Sequence, residues 1–139
     1  MQLSTNGALG GFAVFSQAAG NAVQDAEVPI ENRNASTYLL PFDNPNGLAT
    51  GVALANVYVQ DVRIAVAVHD DTGAVLLLDS LTLPALGHTS FNLADRYAPV
   101  TAQRRGTLLF TTPSPGQISV LGLRFNQTGA FSTIPALAE

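Results

Sequence analysis

Apolar residues recur at every second position along most of this chain, and the 3.6-residue period of an amphipathic helix is almost missing. Residues 61–69 show the pattern most cleanly. Val62, Ile64, Val66 and Val68 fall on one side, Arg63, Ala65, Ala67 and His69 on the other. A pleated strand sends alternate side chains to opposite faces, so this segment predicts a strand with one large apolar face and one small or polar face. Residues 48–59 alternate Thr50, Val52 and Leu54 against Gly51, Ala53 and Ala55. The link at 58–61 is short, which predicts an antiparallel hairpin between the two strands. Gly51, Ala53 and Ala55 would then lie beside Ala65 and Ala67 on one small-residue sheet face, flat enough for another layer, domain or subunit to dock.

Turn chemistry marks the remaining elements. Asp70-Asp71-Thr72-Gly73 offers the left-handed position of a tight hairpin, followed by a strand over 74–83 that stops at Pro84. Residues 87–93 read as a strand. Asn92 caps one helical turn over 93–97, with Asp95 near its positive end. Further strands are expected at 11–17, 24–30, 38–42, 107–112, 117–126 and 130–136, separated by 18–23, Asp43-Asn44-Pro45-Asn46-Gly47, Pro113-Ser114-Pro115-Gly116 and 127–129. The sum is an all-β chain: a two-sheet antiparallel β-sandwich of about nine or ten short strands with one short helical turn. No linker divides residues 1–139 and no internal repeat runs through them, so one domain is expected.

Composition narrows the chemistry. The 139 residues are 47% hydrophobic, which speaks against disorder, and the short, interrupted apolar runs give no membrane span. Without Cys there is no disulfide, thiolate metal site or Cys nucleophile. Two His exclude a three-His zinc site within the chain, and the absence of Lys excludes a Schiff base or a phosphate-loop lysine. A net charge of −4 argues against a nucleic-acid partner. Residues 1–6 carry neither a basic nor an apolar leader region, so they are not read as a signal peptide.

Candidate sites are few. Asp43, Asn44 and Asn46 place oxygen ligands in a loop bent at Gly47, where calcium is the cation to consider. No terminal Glu follows as an EF-hand requires, and Asx-turn chemistry explains the same residues, so no cofactor is expected, with calcium in this loop as the alternative. Tyr58 and Tyr97, with Arg96, could stack and hydrogen-bond a sugar ring; packing on the core rim is the plainer role. His69 with Asp70 and Asp71 reads as a solvated hairpin tip, and His88 as a turn histidine bonded to nearby backbone. Glu27 and Glu31 stand about 13 Å apart along a strand, too far for a glycosidase pair, and Asp25 and Glu27, about 7 Å apart, have no evident pocket. No Gly-x-Ser-x-Gly elbow exists. No enzymatic activity is expected.

Several stretches resemble a known kind of module. Gly11-Phe12-Ala13-Val14-Phe15, Gly51-Val52-Ala53-Leu54-Ala55-Asn56, Leu86-Gly87-His88-Thr89-Ser90, Arg105-Gly106-Thr107-Leu108 and 118–125 together look like an uncharacterised β-sandwich module of large secreted or surface-attached bacterial proteins. That resemblance implies an immunoglobulin-like or jelly-roll sandwich outside the cell, with no catalytic residues. The expected function is therefore a non-catalytic extracellular or cell-surface module for adhesion, scaffolding or assembly, partnered by neighbouring domains or identical subunits. The alternatives are a carbohydrate-binding module of a secreted hydrolase, which would bind polysaccharide, and a small enzyme. The chain also lacks the edge Lys that commonly guards against strand pairing, which leaves 11–17 or 130–136 open to self-association.

Overall fold

The computed structural model describes residues 3, 5–19 and 22–139. Of the loop expected at 18–23, residues 20 and 21 lie outside them, as does part of segment 1–6, while residues 18–19 and 22–23 continue the two flanking strands. The chain forms β1 (Phe12–Ala19), β2 (Ala22–Pro29), β3 (Thr37–Asp43), β4 (Ala49–Asn56), β5 (Val62–Asp70), β6 (Val75–Leu83), β7 (His88–Asn92), α1 (Leu93–Arg96), α2 (Ala98–Thr101), β8 (Arg105–Thr111), β9 (Ile118–Phe125), β10 (Phe131–Pro135) and β11 (Leu137–Ala138). Strand makes up 56% and helix 6%, so the short helical turns do not alter an all-β class. Two antiparallel sheets, ordered β10-β9-β4-β7 and β11-β3-β8-β5-β6, form the sandwich, and β1 and β2 make a separate hairpin.

The period-two faces converge on one core. Val62, Ile64, Val66 and Val68 are each at most 2% exposed, and from the facing sheet Val52, Leu54, Ile118 and Val120 meet them, with Tyr38, Leu40, Leu108 and Phe110 filling the five-stranded side. A Cβ at Gly122 would run into Leu40 from the opposite sheet, so this position on β9 must stay bare. Arg63 and Ala65 on β5 face outward and are exposed.

The expected hairpin between residues 48–59 and 61–69 does not form. β4 pairs with β7 and β9, whereas β5 pairs with β6 and β8 in the other sheet. A hairpin would set both large faces on the same side of one sheet; crossing between sheets lets them face each other. The corner is held by Asn56, 2% exposed. Its side-chain amide donates to the carbonyls of Gln60 and Pro84 at 2.8 Å, and its oxygen accepts from the Tyr58 amide at 2.8 Å. The small residues of β4 and β5 therefore lie on the outer faces of different sheets rather than side by side.

Local turns follow the chemistry read from the chain. Gly73 takes φ +87°, and Asp70 Oδ1 accepts from the amides of Thr72 and Ala74 at 2.9 Å, closing the β5–β6 hairpin. Asn126 repeats this arrangement for β9–β10, accepting from Thr128 and Ala130. Asn92 caps α1 by accepting from the Ala94 amide at 3.0 Å. A second turn, α2, continues beyond the one expected, because the buried Thr101 hydroxyl bonds the carbonyls of Leu93 and Tyr97 and ties both turns together.

Ile64→Ala should destabilise the domain by about 2–5 kcal/mol through lost burial and a residual cavity, whereas Arg63→Ala should stay within about 0.5 kcal/mol. Chemical denaturation of both variants measures this. Equal losses would place the two faces of β5 the wrong way round.

Candidate functional site

The side chains of the Asp43–Gly47 loop are engaged as a structural staple. Asp43 Oδ1 lies 2.7 Å from Arg105 Nε, and its Oδ2 lies 3.2 Å from the Arg124 guanidinium. Asn44 is 2% exposed; its oxygen accepts from the Thr50 amide at 2.8 Å and its amide donates to the Thr101 carbonyl at 3.1 Å. Asn46 sits at φ +56°, with its amide on Gln103 Oε1 and its carbonyl on Gln127 Nε2. A cation here would have to displace two arginines from Asp43. Among the described residues no group of three or more His, Asp or Glu stands together in a metal-holding arrangement.

Tyr58 and Tyr97 do not share a platform. Tyr58, exposed, follows the Asn56 end of β4, where its carbonyl accepts from Leu86. Tyr97 follows α1, near the other end of β4, where Gly51 pairs with Asn92. Its ring is buried, edge-on to Phe91 at 6.0 Å, and its hydroxyl donates to Asp79 Oδ2 at 2.8 Å. Arg96 lies over the Phe91 ring at 5.0 Å and reaches Asp79 at 3.6 Å. Burial pushes the Tyr97 phenol above its ordinary pKa, and the hydrogen bond from that phenol, with help from the Ser80 amide and Arg96, holds the Asp79 carboxyl below the usual range. The group braces α1 against the edge strand β6.

The other titratable candidates are dispersed. His69 and Asp70 end β5, and Asp70 is held low by the Thr72 hydroxyl and the turn amides. His88 opens β7 on the outer face opposite Ala55, with no hydrogen bond to its ring among the described residues. Glu31 pairs with Arg33, which also donates to the Ala136 carbonyl at 2.6 Å. Asp25 accepts from the Ser16 hydroxyl across the β1–β2 hairpin.

The β1–β2 hairpin contains the edge at 11–17 that the absence of Lys leaves unguarded, and it carries an apolar surface as well. Phe12, Val14, Phe15 and Val23 are 63%, 52%, 52% and 72% exposed. The register pairs Phe12 with Pro29, Val14 with Glu27 and Ser16 with Asp25, so these share one face; Ala13, Phe15 and Gln17 share the other with Val28, Ala26 and Gln24. The second face turns toward the sandwich. Ala26 is buried, the Phe131 amide donates to Gln24 Oε1 at 3.1 Å, and Phe15 and Gln17 overhang Leu121, Leu123, Phe125 and Phe131 across an apolar cleft of about 310 Å³. The first face, with Phe12, Val14 and Val23, looks away. The signal for this surface was in the chain: large apolar residues alternating on a segment whose contribution the core did not need.

Two measurements follow. Asp79, held low when folded, contributes stability that is complete above the unfolded carboxyl pKa near 4 and is lost as pH falls through the lower folded value. The melting temperature should therefore drop as pH falls below about 4, less steeply in Asp79→Asn, with Asp70 supplying part of what remains. Separately, chelating divalent ions should leave the melting temperature unchanged. A fall that is restored by calcium and absent in Asp43→Ala would assign a cation to the loop.

No protein family, curated protein or solved structure matches this chain, so the geometry of its own residues carries the functional reading.

Proposed function

We propose that this chain is a non-catalytic extracellular module for adhesion, scaffolding or assembly, and that the β1–β2 hairpin is its contact surface for a neighbouring domain or an identical subunit. One observation carries the reading. Among the described residues, none of the hairpin belongs to the buried core cluster, yet the hairpin holds four large, largely exposed apolar side chains. Packing on the sandwich does not account for Phe12, Val14 and Val23, which look away from it. Contiguous exposed apolar surface marks interaction sites, and a lone two-stranded hairpin is marginal in water unless something packs on it. The extracellular placement draws on the resemblance to secreted and surface modules. The carbohydrate-binding alternative rests on Tyr58 alone, since Tyr97 is buried far from it.

Light scattering over a micromolar-to-millimolar series should show a mass rising above the 14.5 kDa monomer. The double substitution Phe12→Ser, Val23→Ser should suppress the rise while preserving the melting temperature. A constant monomer mass would remove the assembly reading. A saturable glycan isotherm that is lost in Tyr58→Ala would favour sugar binding instead.

A further inference from the structure

We infer that the hairpin's partner is a second copy of this chain, and that the two copies join edge to edge, β1 against β1 in antiparallel register about a two-fold axis at Phe15. This deepens the assembly reading and rests on it. The argument starts from one hydrogen bond. The Ile30 amide donates to the Gly11 carbonyl at 2.9 Å, which makes Gly11 and Ile30 a hydrogen-bonded pair at the base of the hairpin. Antiparallel ladders alternate such pairs with non-bonded ones, so Ala13, Phe15 and Gln17 also turn their backbone groups toward β2. Phe12, Val14, Ser16 and Ala18 turn theirs the other way. Among the described residues β1 pairs with no strand but β2, and residues 12–18 are all exposed.

An edge of this kind is a template for another strand unless something blunts it. Other edges are blunted. β11 has two residues, β7 has five, β10 carries Pro135, and β6 carries Asp79. β1 runs for eight residues with no charge and no proline. Pairing it with itself also matches side chains on the outward face. With Phe15 on the axis, Phe12 faces the partner's Ala18 and Val14 faces the partner's Ser16, large against small, while the two Phe15 rings meet at the axis on the face turned toward the sandwiches. Every outward amide and carbonyl between 12 and 18 then finds a mate, about eight hydrogen bonds in all by the antiparallel pattern. The carboxylates do not oppose this. Asp25 and Glu27 sit on β2, so the two acidic strands end up about 14 Å apart with both β1 strands between them. The product is a four-stranded sheet, past the size at which a sheet holds together independently.

The test exploits the alternation. Val14→Pro deletes an amide that points only to the open edge and leaves the bonds to β2 in place; Val14→Thr keeps the amide and the branched side chain. Wild type and Val14→Thr should sediment as dimers. Val14→Pro should raise the dimer dissociation constant at least about tenfold, with an unchanged melting temperature. Amide exchange on the wild-type protein gives an independent reading. The amides of Ala13, Phe15 and Gln17 should be protected at all concentrations, and those of Phe12, Val14, Ser16 and Ala18 should slow about tenfold or more only as dimer forms. If the mass rises but Val14→Pro associates like wild type, or the outward amides stay fast, edge pairing is wrong while the assembly reading stands. A monomer at every concentration overturns both.

Discussion

Val62, Ile64, Val66 and Val68 from one sheet and Val52, Leu54, Ile118 and Val120 from the other meet across a single interface, and β3, β4, β5, β8 and β9 all present large side chains there. Because strand side chains alternate, a strand offers that interface one face only, and its neighbour in sequence must arrive either beside it or opposite it with the matching parity. The routing of the chain answers this constraint. β3, β4 and β5 step from sheet to sheet, each laying its even-numbered residues inward. Asn56 is the polar cost of that routing. It sits at an inward, buried position and satisfies the backbone of the corner where the chain leaves one sheet for the other.

Faces were legible in the sequence, and partners were not. Alternation at 61–69 assigns the buried side of β5 residue by residue, and Asp70, Asn92 and Asn126 announce their turns and cap because a short side-chain carbonyl can reach amides only a few residues on. The same alternation is silent on whether the next strand lies alongside or across. A link of five residues serves either geometry, so β4 and β5 read as a hairpin when they in fact face each other. An in-facing Asn among Val, Leu and Ala was the available hint.

The candidate chemistry shows a related limit. Tyr97 and Arg96 look like loop residues in a polar stretch, yet Thr101 folds that stretch into two consecutive turns and buries the ring against Phe91. Asp43, Asn44 and Asn46 look like cation ligands because the same oxygens that would bind a metal also cap backbone and pair with arginine. Which of these they do depends on Arg105 and Arg124, far along the chain and invisible to local reading. The hairpin's open edge at 11–17 was legible from the missing Lys, but its apolar face was not, for the opposite reason. Its alternation resembles any other strand pair, and only the completed core reveals that Phe12, Val14 and Val23 are surplus to it.

Among the described residues, only β1–β2, β5–β6 and β9–β10 pair strands adjacent in sequence; the rest of the ladder joins segments separated by long loops. Closing such loops comes before the contacts that reward it, so sandwiches of this kind fold on a scale of roughly milliseconds to seconds, while a hairpin closes in roughly 1–10 microseconds. The two clocks differ by orders of magnitude. The β1–β2 ribbon, marginal on its own, can therefore form transiently, with its bare edge, well before the sandwich beneath it does. Encounters between nascent chains would then compete with intramolecular folding, and the speed of core formation becomes a safeguard against pairing of β1 edges before the sandwich is complete.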